Sequence, residues 1–350
     1  MTICLFGNYL KDYPRVVTLR RGLESNDVRV LECHTRATGL KKYWTLYKKH
    51  RLIKNQYDFL IVSMGGQTLV WFAKLISLKK IIFDAFASLY LSGIEDRLVA
   101  PARSLRAYYY KFLDWWPCWL ADAVLLDTRA QVNYYRQHYN LPAEKFFPLP
   151  ISSDPQIFFP TPSETPSEKI IIHWHGHIVP FHSITTIISA AKLLSANPAI
   201  EFQIITRFNN KYKKIKESVV NLGLSNVKFY PETDYAGLAA HINRAAICLG
   251  IFGNNSKAAV VIPNKIIEAA ACHRPIITVQ SPAMAEFFSD RVNVLLCRPE
   301  DPVDLAAKVE LLISNQPLRS QIAAGAYALY CSQLSPAVIA RQLISFLEKI

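Results

Sequence analysis

The chain has 350 residues, 51% of them hydrophobic and 19% charged, which excludes an intrinsically disordered protein and allows two domains of ordinary size. Its net charge of +13 is uneven: residues 1–160 hold 22 Lys and Arg against 13 Asp and Glu, residues 161–350 hold 18 against 14, and the basic first half calls for an anionic partner or a solvated basic surface. Seven cysteines without a CxxC pair exclude a zinc ribbon and a disulfide framework, and predict reduced thiols in a cytoplasmic protein.

Thr2 to Phe6 reads as a short apolar strand that reaches Gly7 and Asn8 too soon for a signal peptide, and no GxGxxG follows it. Pro14 to Gly22 reads as a helix and Val28 to Glu32 as a second strand. Phe59 to Ser63, Ile81 to Phe83 and Val124 to Leu126 are further buried-strand candidates. The apolar stretch Phe59 to Ser77 is broken by Gly65-Gly66-Gln67 and carries Lys74, the pattern of a strand, turn and helix rather than a membrane span. Alternation of this kind predicts an α/β fold with a doubly wound parallel sheet, whose ligands sit at the carboxyl ends of strands. That gives weight to Gly7, Asn8, Gly65, Gly66, Asp84 and Asp127. A carboxylate there, Asp84 first, suits orienting an acceptor hydroxyl or taking its proton; it equally suits capping the next helix.

Two stretches mix basic and aromatic residues: Lys41 to Lys54 (KKYWTLYKKHRLIK) and Arg103 to Leu120 (RSLRAYYYKFLDWWPCWL). Such a mixture fits the interface of an anionic membrane, or aromatics packed in the core beneath solvated cations. No nucleic-acid-binding motif accompanies the charge, so nucleic acid is not an expected partner. Asp154 to Glu168, with four prolines, has linker composition, and the domain boundary is expected near residue 160.

The second half opens with Lys169 to Ile172 and then HWHGHIVPFHS. His173, His175 and His177 alternate, so on a strand they share one face; with His182 they invite a metal reading that no Cys, Asp or Glu at ligand spacing supports. Ile184 to Leu194 reads as a helix and Glu201 to Thr206 as a strand. Arg207 stands at that strand's end, near Lys211, Lys213 and Lys214. After the strand Ala246 to Leu249, a glycine-containing loop, Gly250 to Lys257, leads into VIPNKIIEAAACHRPIITV (261–279). Here Pro263 stops the chain, Asn264 is a good N-cap, and Lys265 to Cys272 favours a helix that His273-Arg274-Pro275 ends; Ile276 to Val279 suits a buried parallel strand. The helix start is an anion site in the making, with Lys265 beside it and Glu268 one turn on.

The run Pro263-Asn264-Lys265-Ile266-Ile267-Glu268 with its following PIITV resembles the donor-binding segment of family 4 glycosyltransferases, in the version that lacks the first Glu of Glu-x7-Glu; Val260 stands at that position. The resemblance implies a GT-B fold: two Rossmann-like domains facing a cleft, 1–160 on the acceptor side and 161–334 binding the nucleotide sugar, with a terminal helix of about 335–350 packing back on the first. It also implies that Glu268 holds the ribose and that Gly176 is the turn glycine. His177 stands at the family's Arg position, His182 at its Lys position and Ser183 at the Gly that comes next, while Glu286 echoes a frequent Glu after the strand. The candidate donor-binding set is therefore Gly176, His182, Arg207, Lys257, Asn264, Lys265 and Glu268, with Asp84 and His177 as catalytic candidates. The resemblance further implies a retaining transfer from a nucleotide sugar to an acceptor hydroxyl without metal or cofactor, with closure excluding water; the basic, aromatic N-terminal half is what points to a glycan or lipid-linked acceptor in cell-envelope polysaccharide or glycolipid synthesis. The protein is then expected in the cytoplasm, peripheral on the inner face of the membrane. Two alternatives stay open: a GT-B sugar-nucleotide epimerase, and a catalytically silent GT-B scaffold that keeps only the nucleotide pocket.

Overall fold

The computed structural model describes residues 1–161 and 168–350. In chain order the elements are β1 (Thr2–Gly7), α1 (Pro14–Glu24), β2 (Arg29–His34), α2 (Lys41–Ile53), β3 (Phe59–Val62), α3 (Val70–Ile76), β4 (Lys80–Asp84), α4 (Leu105–Leu120), β5 (Ala123–Leu126), α5 (Arg129–Tyr139) and β6 (Phe146–Pro148). There follow β7 (Ile170–His175), α6 (Ile184–Leu193), β8 (Ile200–Thr206), α7 (Asn210–Asn221), β9 (Val227–Pro231), α8 (Tyr235–Arg244), β10 (Ile247–Leu249), α9 (Ser256–Val260), α10 (Asn264–Ala271) and β11 (Ile276–Val279). The chain ends with β12 (Leu295–Cys297), α11 (Pro302–Ser314), α12 (Gln316–Leu329) and α13 (Pro336–Leu347). Contacts divide the chain into two units, Met1–Ser152 with Ser335–Ile350, and Ser153–Leu334. The division falls upstream of the boundary expected near 160, because Ser153 is held by Tyr330, whose hydroxyl donates to its carbonyl at 2.9 Å. Of the Pro/Ser/Thr-rich segment that suggested the boundary, residues 162–167 lie outside the described residues.

The first unit is a parallel sheet of six strands in the order β2-β1-β3-β4-β5-β6. Its central strands are runs of Ile, Leu, Val and Phe buried on both faces, as parallel sheets covered by helices require. β1 to β2 steps one way across the sheet and β2 through β6 the other. Right-handed crossovers therefore put α1 on one face and α2, α3 and α4 together on the opposite face. The packing agrees: α2 touches α3, α3 touches α4, and α1 lies against α13. At that last contact Gly22 is obligatory, since a Cβ there would meet the Pro336 carbonyl oxygen at 2.2 Å. The apolar run Gln316–Leu347 has the length and hydropathy of a membrane span, but Ser335 (φ −70°, ψ 152°) breaks it into α12 and α13. The broken halves bury Ile322 in one core and Ile339, Ala340 and Leu343 in the other.

Arg15 and Asp84 sit inside this first unit. Both carboxylate oxygens of Asp84 accept from Arg15 Nε, at 3.0 and 2.9 Å, while Arg15 Nη1 donates to the Leu149 carbonyl at 3.1 Å and lies 3.7 Å from Asp127. Burial pushes the guanidinium pKa down, but Asp84 and Asp127 outweigh it and the net shift is upward. Asp84 is thus neither a helix cap nor an open carboxylate at a strand's end. Its charge ties α1 to the end of β4, and it is not carried forward as a catalytic group. Nor does Asp127 cap α5; Thr128 does, accepting from the Gln131 amide.

Because a buried ion pair stripped of one partner leaves a desolvated charge, Arg15→Met should lower the unfolding free energy by about 3–5 kcal/mol. Combined with Asp84→Asn, the loss should be smaller than the sum of the two single-variant losses; additive losses in urea unfolding would show that the pair is not coupled.

Candidate functional site

The second unit is again a parallel six-stranded sheet, in the order β12-β11-β10-β7-β8-β9. Its first strand, β7, lies between β10 and β8, so the direction of winding reverses between β7 and β10. Ligands of doubly wound sheets bind beyond the strand ends at this reversal. The histidine-rich turn after β7 and the start of α10 are placed there.

α10 begins at Asn264, with Pro263 at the cap position in an extended conformation and no side chain capping. Asn264 is therefore the first helical residue, not the cap expected from its identity: Pro263, with its fixed φ, is already in place one residue earlier. The helix ends in a left-handed His273 (φ 57°), whose amide and that of Arg274 bond back to the carbonyls of Ala270 and Ala269. That is the Schellman arrangement, which stops the helix before Pro275 is reached.

Lys265 is the unusual residue of the set. It is buried, its ammonium lies 4.1 Å above the centroid of the Trp174 ring, and its Nζ has no hydrogen-bond partner among the described residues. Trp174 is itself fixed, fully buried and donating from Nε1 to the Gly250 carbonyl at 3.0 Å. Burial pushes the Lys265 pKa well below its usual value, and the nearby Glu268 only partly offsets this. Gly176 (φ 134°) is the other wall. A Cβ there would lie 3.1 Å from Lys265 Nζ and 3.4 Å from His182 Cε1, in a backbone conformation that side chains disfavour. The result is a desolvated lysine held between the Trp174 ring and the Gly176 turn.

The histidines act as scaffolding. His182 Nδ1 lies 2.6 Å from the His177 carbonyl; a carbonyl only accepts, so Nδ1 carries the proton. Burial and the Lys265 charge hold the His182 pKa well below its ordinary 6.5, so it closes the turn as a neutral ring and does not replace a phosphate-binding lysine. The loop after β10 is tied to the same turn, the amides of Phe252 and Gly253 donating to the carbonyls of His182 and Phe181. Lys257 Nζ stands 4.8 Å over the Phe181 ring. Glu268 is buried, and its Oε2 lies 2.8 Å from His175 Nε2. His175 Nδ1 is 2.9 Å from His173 Nε2, and His173 Nδ1 is 3.0 Å from Gln203 Oε1. With the Gln203 carbonyl facing His173, Nδ1 of each ring donates, and the last contact needs a second proton on His175 or one on Glu268. With the amide turned over, both rings donate from Nε2 and Glu268 accepts as a carboxylate.

The structure thus brings Gly176, His182, Lys257, Asn264, Lys265 and Glu268 into one cluster. His177 and Arg207 are placed differently. Both are more than half exposed and both engage Glu232, Arg207 Nε at 3.0 Å and His177 Nε2 at 3.3 Å. Burial raises the Glu232 pKa, but the Arg207 hydrogen bond and charge, with His177, win and hold it below the ordinary carboxylate range. Lys211, Lys213 and Lys214 are exposed on α7. Among the described residues no group of three or more His, Cys, Asp or Glu is arranged to hold a metal, since each of the clustered histidines has another partner. The sequence offered His175 only as a metal ligand, and it gave no site role to Trp174, Gln203 or Glu232. Glu232 had a usable signal, standing just after β9, whereas Trp174 reads as any buried aromatic of a strand.

Residues 169–315 match the family described as "Glycosyl transferases group 1", a stretch that contains the whole cluster. A D-inositol 3-phosphate glycosyltransferase of Stackebrandtia nassauensis is 21% identical over 222 residues, covering 59% of this chain and 49% of that protein. An uncharacterized glycosyltransferase of Methanocaldococcus jannaschii is 26% identical over 154 residues, 42% of this chain and 39% of that one. The matched stretch spans about half the length, or less, of these curated relatives. Among solved structures, HepE of Anabaena in complex with UDP-glucose superposes with a TM-score of 0.75 at 16% identity, covering 100% of both chains. A sucrose-phosphate synthase of Thermosynechococcus elongatus does so with 0.76 at 13%, covering 99% and 98%. The fold is therefore that of the GT-B glycosyltransferases, two Rossmann-like units.

His173 and His182 are buried neutral, with pKa values pushed well below the ordinary 6.5 first by burial. Below that ordinary value the unfolded chain binds protons that the folded chain refuses, so stability is full above it and falls as pH drops, by at most about 1.4 kcal/mol per pH unit for each ring. Urea unfolding across that range should show the slope, and His173→Gln should reduce it; an unchanged slope would place the titration elsewhere.

Proposed function

We propose that this protein is a glycosyltransferase that moves a sugar from a nucleotide-sugar donor to an acceptor hydroxyl. The observation that carries the reading is Lys265: a buried ammonium without a hydrogen-bond partner, above Trp174 and facing the Gly176 turn. A desolvated cation is costly unless an anion completes it, and a diphosphate supplies both charge and acceptor oxygens. As the bond from sugar to diphosphate breaks, negative charge grows on the leaving phosphate; Lys265 and the amides at the start of α10 stabilise that charge without reorganising. Glu268, one turn along the same helix and braced by His175, holds the ribose hydroxyls. Lys257 lies on the neighbouring helix within reach of the same turn. Support for uridine as the base comes from HepE, whose complexes contain UDP and UDP-glucose, so UDP-sugars head the donor panel. Metal-independent retention of anomeric configuration rests on the sequence resemblance, and a glycan or lipid-linked acceptor in envelope synthesis on the basic, aromatic first half; both belong to the same proposal.

The Glu232 contacts favour a second reading. The residue at the family's Arg position, His177, and the supplementary cation Arg207 both face a carboxylate, which suits a nucleotide-sugar-binding scaffold without turnover. Incubation with donor and acceptor pools separates the cases. Free nucleotide with glycosylated acceptor supports transfer, an isomerised donor without acceptor supports an epimerase, and saturable binding without any product supports the scaffold.

Thermal shift against a nucleotide-sugar panel should single out one donor, with stabilisation of about 2.7 kcal/mol at a hundredfold excess over Kd. Lys265→Met should remove a buried cation and leave the free protein at least as stable, yet weaken donor binding roughly 10- to 100-fold. A Lys265→Met protein that binds the donor as wild type does would sink the diphosphate assignment. Because burial holds the Lys265 pKa down, closing an anion over it should draw in a proton; calorimetry in buffers of different ionisation enthalpy should register net uptake at alkaline pH, and release would contradict the pairing.

A further inference from the structure

The outer layer formed by α2, α3 and α4 presents apolar and cationic side chains together. On α2, Trp44 and Tyr47 stack at 6.1 Å, Lys48 lies 5.0 Å over Trp44 and Arg51 lies 5.9 Å over Tyr47, a single stripe at helical spacing. Tyr43 carries the aromatic surface across to Trp71 of α3, with ring centroids 5.6 Å apart. Beyond Trp71 the same side of α3 exposes Leu75 and, just past the helix end, Leu78. On α4 the exposed side runs Tyr108, Phe112, Trp119, with Phe112 and Trp119 stacked on the half-buried Trp116 and Trp115. Trp44 and Trp119 are 59% and 55% exposed, so these rings are not the core aromatics of the alternative reading.

The charge of the layer has one sign. Residues 41–54 hold six Lys and Arg, 70–80 hold three and 103–120 hold three, against one carboxylate, Asp114. Asp114 is buried and turned inward, accepting from Ser88 Oγ and from the amides of Leu89 and Tyr90. The nearby Asp122 is held by Lys74 at 2.7 Å, and Glu95 accepts from Tyr134.

From this juxtaposition we propose that the α2–α4 face docks on an anionic phospholipid bilayer, its Trp and Tyr rings seated at the headgroup level and its lysines and arginines on the lipid phosphates. Indole and phenol rings with one apolar body and one polar edge prefer that interface, and several cations near a negative leaflet add about 1 kcal/mol each. A protein partner would favour a face with fewer Lys, which interfaces deplete. The amphipathic layer lies on the surface and crosses nothing, as an interfacial attachment requires.

The test uses the full chain and sucrose-loaded vesicles, either phosphatidylcholine alone or with about one third phosphatidylglycerol. Cosedimentation should be at least tenfold stronger with the anionic vesicles and should fall as salt rises. Lys48→Glu with Arg51→Glu should weaken it by about tenfold or more. Trp44→Ala with Trp119→Ala should reduce binding and the quenching of tryptophan fluorescence by brominated phosphatidylglycerol. Unchanged unfolding midpoints would show that the variants fold, and no donor is needed, so failure of the catalytic reading leaves this result unaffected. Equal binding to neutral vesicles, or full anionic binding by both double variants, would overturn the proposal. So would a concentration-dependent dimer abolished by Trp44→Ala with Trp119→Ala and no vesicle binding, which would make the face an interface between copies.

Discussion

A positive charge kept dry is the constraint around which the second unit is built. Lys265 enters at the second residue of α10 and is buried. Trp174 lies under the ammonium, pinned by the Gly250 carbonyl, and Ile266 and Ile267 on the same helix are buried with it. Gly176 leaves the room that Nζ occupies, because a Cβ there would lie 3.1 Å from it. Desolvating an ammonium without a hydrogen-bond partner works against stability, so this side chain is a cost that the packing around it offsets.

The histidines explain how that geometry is held. A strand ending in His-Trp-His alternates its side chains. Trp174 supports Lys265, while His173 and His175 form a hydrogen-bonded chain from Gln203 to Glu268. Glu268 is therefore positioned by a group on another strand and not merely by its place in the helix, and its acceptor geometry depends on how protons are distributed along the chain. His182 completes the turn by bonding back to the His177 carbonyl. Three imidazoles that resemble metal ligands or phosphate binders in the sequence serve here as hydrogen-bonded struts.

Burial decided which charges were available. Asp84 and Lys265 both sit at positions where a doubly wound sheet places ligands, and both are inside the protein. Asp84 meets a guanidinium and its charge is consumed; Lys265 meets a π-face and its hydrogen-bonding capacity is left over. Arg207 and His177 remain in solvent, where Glu232 is close enough to draw both.

Most strands of both sheets were legible in the amino-acid sequence, because β-branched and apolar runs between glycine- and proline-marked turns have few other solutions; of the helices only a few, among them α1, α6 and α10, were read. The PNKIIE segment was legible too, as a short helix with a cation and a carboxylate on neighbouring turns. Boundaries were less so. Asn264 reads as a cap, but Pro263 holds that place, and the three-residue β6 carries too little pattern to be seen. What the linear chain could not contain is who meets whom. That Asp84 pairs with Arg15, 69 positions away, and Glu268 with His175, 93 positions away, is set by sheet order and helix packing. The amino-acid order by itself determines which groups carry charge. Only the tertiary structure decides which of those charges are neutralised and leaves the Lys265 ammonium buried without a hydrogen-bond partner among the described residues, since desolvation and pairing depend on neighbours in space.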